Sequence, residues 1–568
     1  MQIKDIYPLK AQFDQTEPIQ IKAKFETDSA GVITLTVTDL NGIVFETEAS
    51  VTSEMKETVF SFSLTPVAQN MKGYLAAASF ILNGTAAKTA VTAFDRVSAW
   101  KDAPRYGFLS EFGDDDRSDD DDIAQMNKYH LSIVQFYDWM YRHAKLFPPK
   151  ERFSDPFGRQ LSMTTVRHKI DLAHKYGMKT FAYGAVYGAQ EDYFKLNQEY
   201  GLFQNDGIPT NLGHFLFNMD INKESKWHDH IISEFSQAID FGFDGIHMDQ
   251  YGTPKEAVSN VGGKKAVRAL KTDFFHLIND TKKELTAKGQ NAALIFNAVN
   301  NWPIEAVANS EEDAVYIEVW PPNDTYDDLN RLITDAKKLC KSKQVILAAY
   351  MSPFGQQEKH DGQYAENATL LTSAVIFASG GFHLLLGENN GVLKEAYYVK
   401  YAKLQNDAFI AALRRYYDFI TAYEELLYDE QLCDNTMTYT GGINDEFCFI
   451  AENSNSAISF FPKAQKNSIF TVIKDKPGYK IIHLLNYVGI DNMNWNKEKP
   501  VLPTCVTDIR VTALIIEEVK GVYLASPDMN SCVSEKLKFD YTPHAAGKAI
   551  SFTVPKLHIW DMIYIEIE

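Results

Sequence analysis

The chain has 568 residues, 45% hydrophobic and 13% aromatic, with a formal net charge of -19. That length predicts two to four domains with a sizeable core, and that charge, with no cluster of Lys and Arg to offset it, excludes a polyphosphate partner such as nucleic acid. A neutral ligand fits better, since 29 Tyr and 36 Phe offer flat faces that stack on sugar rings.

From Ile3 to about Ala99 short alternating segments are separated by turn signals, Asn41-Gly42 and Asn83-Gly84 among them. This spacing predicts an Ig-like antiparallel β-sandwich over residues 1–99 with no reactive cluster. From Tyr106 the rhythm changes to apolar runs alternating with amphipathic stretches. Eight runs stand out: Tyr106–Gly113, Ile133–Trp139, Met178–Gly188, Gly242–Tyr251, Ala293–Val299, Asp313–Trp320, Gln344–Ser352 and Gly380–Glu388. Eight strand–helix units predict a (β/α)8 TIM barrel over residues 100–430, closed by a helix from Leu393 to about Leu427. After Tyr428 the two-residue period returns, with Thr436–Tyr439 among the expected strands, and predicts a second antiparallel β-sandwich over residues 431–568. Trp100, Trp227, Trp302 and Trp560 are expected in the core or between domains. The acidic run Asp114–Asp122 has no EF-hand spacing, and Asp119–Asp122 are expected to open the helix Ile123–His130, where carboxylates favour the positive dipole end.

The five cysteines, Cys340, Cys433, Cys448, Cys505 and Cys532, include no close pair, so neither a zinc site nor a disulfide framework is expected. No metal or cofactor is called for. Residues Met1 to Asp5 lack the basic and apolar regions of a signal peptide, and no run approaches the ~20 apolar residues of a membrane span. The expectation is a cytoplasmic, monomeric protein as the sequence is written, or an extracellular one if a leader has been removed.

The chemistry-bearing residues stand at the ends of the eight runs, where a barrel assembles its active site. Asp249 ends the fourth run and Glu318 lies near the end of the sixth, with Trp and Tyr close by. Two such carboxylates suit glycoside hydrolysis, one as nucleophile and the other as acid/base. Glu388 and Glu305 are rivals to Glu318. For Glu318 to act as the acid it must hold its proton above Asp249, and apolar Val319 and Trp320 favour that by desolvation. Asp138, Trp139, Tyr187, Tyr251, Asn297, Trp320, Tyr350 and Glu388 are candidate sugar contacts as aromatic, amide or carboxylate groups at strand ends. Arg142 and His143 read equally as sugar ligands or, with Asp138, as a buried ion network. His247 shares the inward side of its strand with Asp249 and reads as a site or a core residue.

The stretch Phe136-Tyr137-Asp138-Trp139-Met140-Tyr141-Arg142-His143, the run Gly242 to Gly252, and Tyr316-Ile317-Glu318-Val319-Trp320 together resemble glycoside hydrolase family 66, the dextranases and cycloisomaltooligosaccharide glucanotransferases. The likeness extends to the order sandwich–barrel–sandwich. It implies a retaining double displacement on α-1,6-linked glucan, with dextran and isomaltooligosaccharides as substrates, Asp249 as nucleophile, Glu318 as acid/base and Asp138 in the −1 sugar subsite. The glucanotransferases of the family carry an extra carbohydrate-binding module in the later part of the barrel. Here fewer than thirty residues join the seventh and eighth runs, too few for such a module, which favours an endo-acting dextranase. Exo-acting hydrolysis or transglucosylation uses the same machinery, and a non-catalytic glycan-binding protein is the alternative of another class. A lyase or aldolase is disfavoured, since no run ends on a lysine.

Overall fold

The computed structural model describes residues 2–82, 85–340, 342–355, 362–453, 456–529 and 531–568. It is a mixed α/β, multidomain architecture whose centre is a curled eleven-stranded sheet.

At the N-terminus a three-stranded sheet (Gln2–Pro8, Ile19–Glu26, Glu57–Phe62) and a five-stranded sheet (Phe13–Asp14, Thr85–Val97, Met71–Leu82, Gly31–Asp39, Gly42–Val51) share one core. Strict alternation along Ile19–Glu26 buries Ile19, Ile21, Ala23 and Phe25 on one face, and Phe25 meets Phe80 of the other sheet edge-on at 5.7 Å. The Asn41-Gly42 turn closes a hairpin, and Gly42 takes the φ of +118° that a side chain would resist. Asn83-Gly84 lies outside the described residues.

Each of the eight predicted runs contains a strand of the central sheet: β1 Tyr106–Leu109, β2 Ile133–Phe136, β3 Lys179–Ala185, β4 Gly245–Asp249, β5 Ala293–Asn297, β6 Ala314–Glu318, β7 Val345–Ala348 and β8 Gly381–His383, and the eighth also holds the short strand Leu386–Gly387. Neighbours pair in parallel in chain order. Four residues beyond β8, Gly387 of Leu386–Gly387 pairs in parallel with Phe108 of β1. One short run therefore touches both ends of the series. The strands are buried on both faces, which is why they read as continuous apolar runs. The helices between them are amphipathic. In α3 (Lys226–Phe241), which leads into β4, Trp227, Ile231, Phe235 and Ala238 are buried along one stripe, Ser225 caps the start, and Gly242 at φ +120° ends it.

At the C-terminus the seven-stranded sheet containing Ile469–Lys476, Tyr479–Asn486 and Trp560–Ile567 packs with a four-stranded sheet containing Val506–Leu514 and Gly547–Leu557 around Ile482, Val511 and Phe552.

Three expectations are corrected. Thr436–Thr440 is a short helix, not a strand, because the Asp434 carboxylate takes the Thr436 N–H and hydroxyl and turns the chain there. The closing helix spans only α7 (Asp407–Ala422), where Asn406 caps its start. Of the acidic run, the helix keeps Asp121–Asn127. Asp122 is buried against Lys169 at 2.5 Å, and burial pushes its carboxyl up to about 6 despite that lysine.

The side of α7 next to the N-terminal sheets is polar. Asp418 accepts from Ala93 N–H at 2.8 Å and from the Thr92 hydroxyl at 3.1 Å. On its other side Tyr416 donates to Asp528 and Phe419 packs edge-on against buried Trp560.

Candidate active site

The C-terminal ends of β3 to β7 converge on a cleft of about 350 Å³. Parallel register levels these ends: Ala185 stands opposite Asp249, and Glu318 opposite Ala348. Asp249, Asn297 and Glu318 end their strands at this rim, while β3 contributes Tyr183 from two positions before its end and Tyr350 follows β7.

Asp249 and Glu318 are joined by one side chain. The Asn297 amide nitrogen, at the end of β5, donates to Asp249 Oδ1 at 2.8 Å and to Glu318 Oε2 at 3.1 Å. The separation of those two oxygens is at most the sum of the two lengths. The remaining oxygens are held by tyrosines: Tyr183 of β3 donates to Asp249 Oδ2 and Tyr350, just beyond β7, donates to Glu318 Oε1, both at 2.8 Å. Four lone-pair sites are thereby fixed by three donors on three other strands or strand ends.

Burial raises the pKa of both carboxyls, and the charge of Glu318 raises Asp249 further. The hydrogen bonds from Asn297, Tyr183 and Tyr350 act the other way. Asp249 receives the larger upward push, so the order expected from the sequence, with Glu318 holding its proton above Asp249, is not found in the free site. Val319 is buried beside Glu318, whereas Trp320 is 42% exposed and lines the cleft mouth.

Of the other residues singled out from the sequence, Asp138, His143, His247, Tyr251, Asn297, Trp320 and Tyr350 line this cleft. Asp138 follows β2 at a φ of +50°. Its buried Oδ2 has no partner among the described residues, and burial pushes its carboxyl up to about 7 while Arg159 nearby opposes this. His247 meets the Tyr106 hydroxyl at 3.0 Å, and burial holds its imidazole neutral, down to about 3. His143 is likewise neutral, with Nδ1 2.6 Å from Gln190 Nε2.

Trp139, Arg142, Tyr187 and Glu388 lie outside the cleft. Trp139 is fully buried beneath it, with its indole N–H on the Tyr183 carbonyl and its rings against Phe147 and Phe243. Arg142 donates to the carbonyls of Tyr141 and Ser154 and forms no ion pair with Asp138 among the described residues. The Tyr187 hydroxyl takes the Tyr251 N–H and donates to the Thr253 carbonyl, bracing the loop after Asp249. Glu388 is fully buried and accepts from Ser110 N–H and hydroxyl and from Glu111 N–H. Burial and Glu111 push it up to about 8. Glu305 is exposed on the short helix Ile304–Val307.

Sequence reasoning missed Tyr137, Tyr183, Phe215 and Tyr398, which also line the cleft. Tyr398 stacks on Tyr137 at 4.2 Å and joins hydroxyls with Tyr316 at 2.8 Å. Tyr183 sits inside an apolar run, two positions short of the end of β3, and its strand alternation with Ala185 was the available signal. Tyr398 and Phe215 come from long loops with no periodicity to mark them.

The profile of glycosyl hydrolase family 66 matches residues 10–564. A cycloisomaltooligosaccharide glucanotransferase of Niallia circulans is 25% identical over 99% of this chain and 72% of its own length. A dextranase of Streptococcus salivarius is 23% identical over 82% of this chain and 64% of its own. The crystal structure of a cycloisomaltooligosaccharide glucanotransferase from Paenibacillus sp., complexed with cycloisomaltoheptaose, shares the fold at a TM-score of 0.88, with 23% identity and 99% of each chain covered. The matched span runs through both flanking pairs of sheets and the carboxylate-bearing strands between them, and the chain belongs to glycosyl hydrolase family 66.

Proposed function

We propose that this protein is a retaining endo-hydrolase of α-1,6-glucosidic linkages in dextran, with Asp249 as nucleophile and Glu318 as acid/base. The observation that carries the reading is the shared Asn297 amide. It limits how far one oxygen of each carboxylate can stand from the other, which favours the close spacing of double displacement, about 5–5.5 Å between carboxyl groups, over the ~6.5–9.5 Å that inversion leaves for a water.

In the first step the Asp249 carboxylate attacks the anomeric carbon and forms a glycosyl ester, while protonated Glu318 gives its proton to the departing sugar oxygen. As Asp249 loses its charge to the ester, the repulsion that opposed ionisation of Glu318 disappears, so the same group becomes the base of the second step. Glu318 then takes a proton from water, whose oxygen attacks the anomeric carbon and releases Asp249. Tyr183 and Asn297 hold Asp249 in line throughout. Asp138, with its unpartnered buried oxygen turned to the cleft wall, is assigned to the −1 sugar.

The reading includes a (β/α)8 barrel closed through residues 381–387 and spanning 100–430, between sandwiches at 1–99 and 431–568. Hydrolysis is favoured over cyclisation. The relation to the Niallia circulans glucanotransferase spans 719 aligned positions against 568 residues here, so that relative carries long segments this chain lacks. The test is the product profile from purified dextran over time. A spread of linear isomaltooligosaccharides supports the reading; cyclic products or intact dextran contradict it.

A further inference from the structure

A second groove, about 720 Å³, lies beside the cleft and takes no part in the chemistry above. Its walls come from the loops after β3 and β4. Leu202–Phe203, Glu256–Ser259 and Ala266–Ala269 form one small antiparallel sheet, and Gly188–Ala189, Leu216–Asn218 and Asn211–Leu212 form another. The hairpin from Asn211 to Asn218 is the partition. Its Phe215 and Leu216 face the cleft, its Asn211 and Asn218 face the groove, and Leu212 lines both. On the far side the loop from Asp249 runs through Tyr251, which lines the cleft, to Thr253, Pro254 and Glu256, which line the groove.

The groove is rigidly built. Asp220, fully buried between the two small sheets, accepts from the Ser259 hydroxyl at 2.6 Å and pairs with Arg268 at 3.0 Å. Within the groove Asn218 is 2% exposed and its Oδ1 has no partner among the described residues. A buried amide oxygen left unmade costs free energy that a ligand hydroxyl or N–H recovers. Gln204 and Glu256 add further polar ends, and Phe203 and Val258 supply an apolar floor.

The chemistry of this lining selects the ligand. No Lys, Arg or His lines the groove, and two carboxylates, Asp206 and Glu256, repel an anion. Among the described residues no three His, Cys, Asp or Glu side chains gather as metal ligands, so a cation is not the better fit. Amides that both donate and accept, carboxylates that accept hydroxyl protons, and an apolar floor together match a neutral polyol with C–H faces, that is, a sugar unit.

We infer that this groove is a distal subsite that binds glucosyl units of the same chain whose scissile bond lies between Asp249 and Glu318, the chain crossing the partition at Leu212. The inference rests on the α-1,6-glucan reading above and extends it: the protein discriminates by chain length, gaining affinity only from substrates long enough to reach both sites.

The test compares kcat/KM on dextran with kcat/KM on the shortest isomaltooligosaccharide the wild type cleaves, for wild type, Asn218→Ala and Glu256→Ala. Glu256 is exposed, so its variant keeps the comparison decisive if Asn218→Ala fails to fold. The ratio of long to short is expected to fall about three- to tenfold, the loss of one or two hydrogen bonds, with the change in KM for dextran. A ratio that stays at the wild-type value in the folded variants, or an equal loss on long and short substrates, overturns the inference while leaving the α-1,6 reading intact. A wild type that cleaves no α-1,6-glucan overturns that reading and this inference with it.

Discussion

In the proposed roles Asp249 must be charged and Glu318 protonated, although each accepts from the shared Asn297 amide and from one tyrosine. Tyr350 favours the charged form of Glu318, so Tyr350→Phe raises the pKa of the acid, and the alkaline limb of the kcat/KM profile is expected to move to higher pH. Tyr183→Phe removes a donor from Asp249, raises its pKa, and is expected to move the acid limb in the same direction. Initial rates on dextran across pH distinguish the two, and a shift of the opposite sign in either contradicts the assigned roles. Asp249→Ala and Glu318→Ala are each expected to lower kcat by a factor of about one hundred to ten thousand, read as reducing ends released from dextran. Both carboxylates were legible as residues because a charge at the end of an apolar run has no packing reason to be there. Their tyrosine donors were not, because a buried tyrosine in an apolar run reads the same whether its hydroxyl serves a carboxylate or only packs.

At the scale of elements, the strand β2 shows why strand-end reasoning found some side chains and misplaced others. The left-handed Asp138 breaks the alternation immediately after Tyr137, so Asp138 lines the cleft beside Tyr137 and Trp139 turns beneath it. Nothing in the order of apolar and polar residues announces that break. Trp139 is consequently a core residue that supports β3 from below, and Trp139→Ala is expected to lower the unfolding free energy by about 3–5 kcal/mol, measured by denaturant titration. A loss confined to KM with stability unchanged would make it a sugar contact after all. The eight parallel strands were legible because burial on both faces leaves uninterrupted apolar runs. The small sheets built from the loops after β3 and β4 were not, since their strands are two to four residues long and take their pairing from each other.

For the whole molecule, the N-terminal sheets are tied to the central sheet by buried charge. Arg105, at the entry to β1, is 1% exposed and bonds to Asp95 at 2.8 Å and to Glu424 at 3.4 Å, reaching from the N-terminal sheets to the segment after α7. Arg105→Ala leaves two buried carboxylates without their cation and is expected to cost about 3–5 kcal/mol, seen as a lowered thermal midpoint. An unchanged midpoint would mean that the N-terminal sheets are only loosely docked. The order of sheet-rich, helix-rich and sheet-rich thirds was legible from the change of period along the chain, whereas this tie was not, because Asp95, Arg105 and Glu424 are far apart in sequence and each looks like a surface charge. All of this architecture serves one claim, that Asp249 forms a covalent glycosyl ester in a retaining reaction. The most direct test is mass spectrometry of the protein after incubation with a fluorinated isomaltosyl fluoride, which forms such an ester quickly and releases it slowly. A mass gain of one fluorinated isomaltosyl group is expected on the peptide that contains Asp249, absent in Asp249→Ala. An active enzyme that gains no adduct and yields product of inverted anomeric configuration contradicts it.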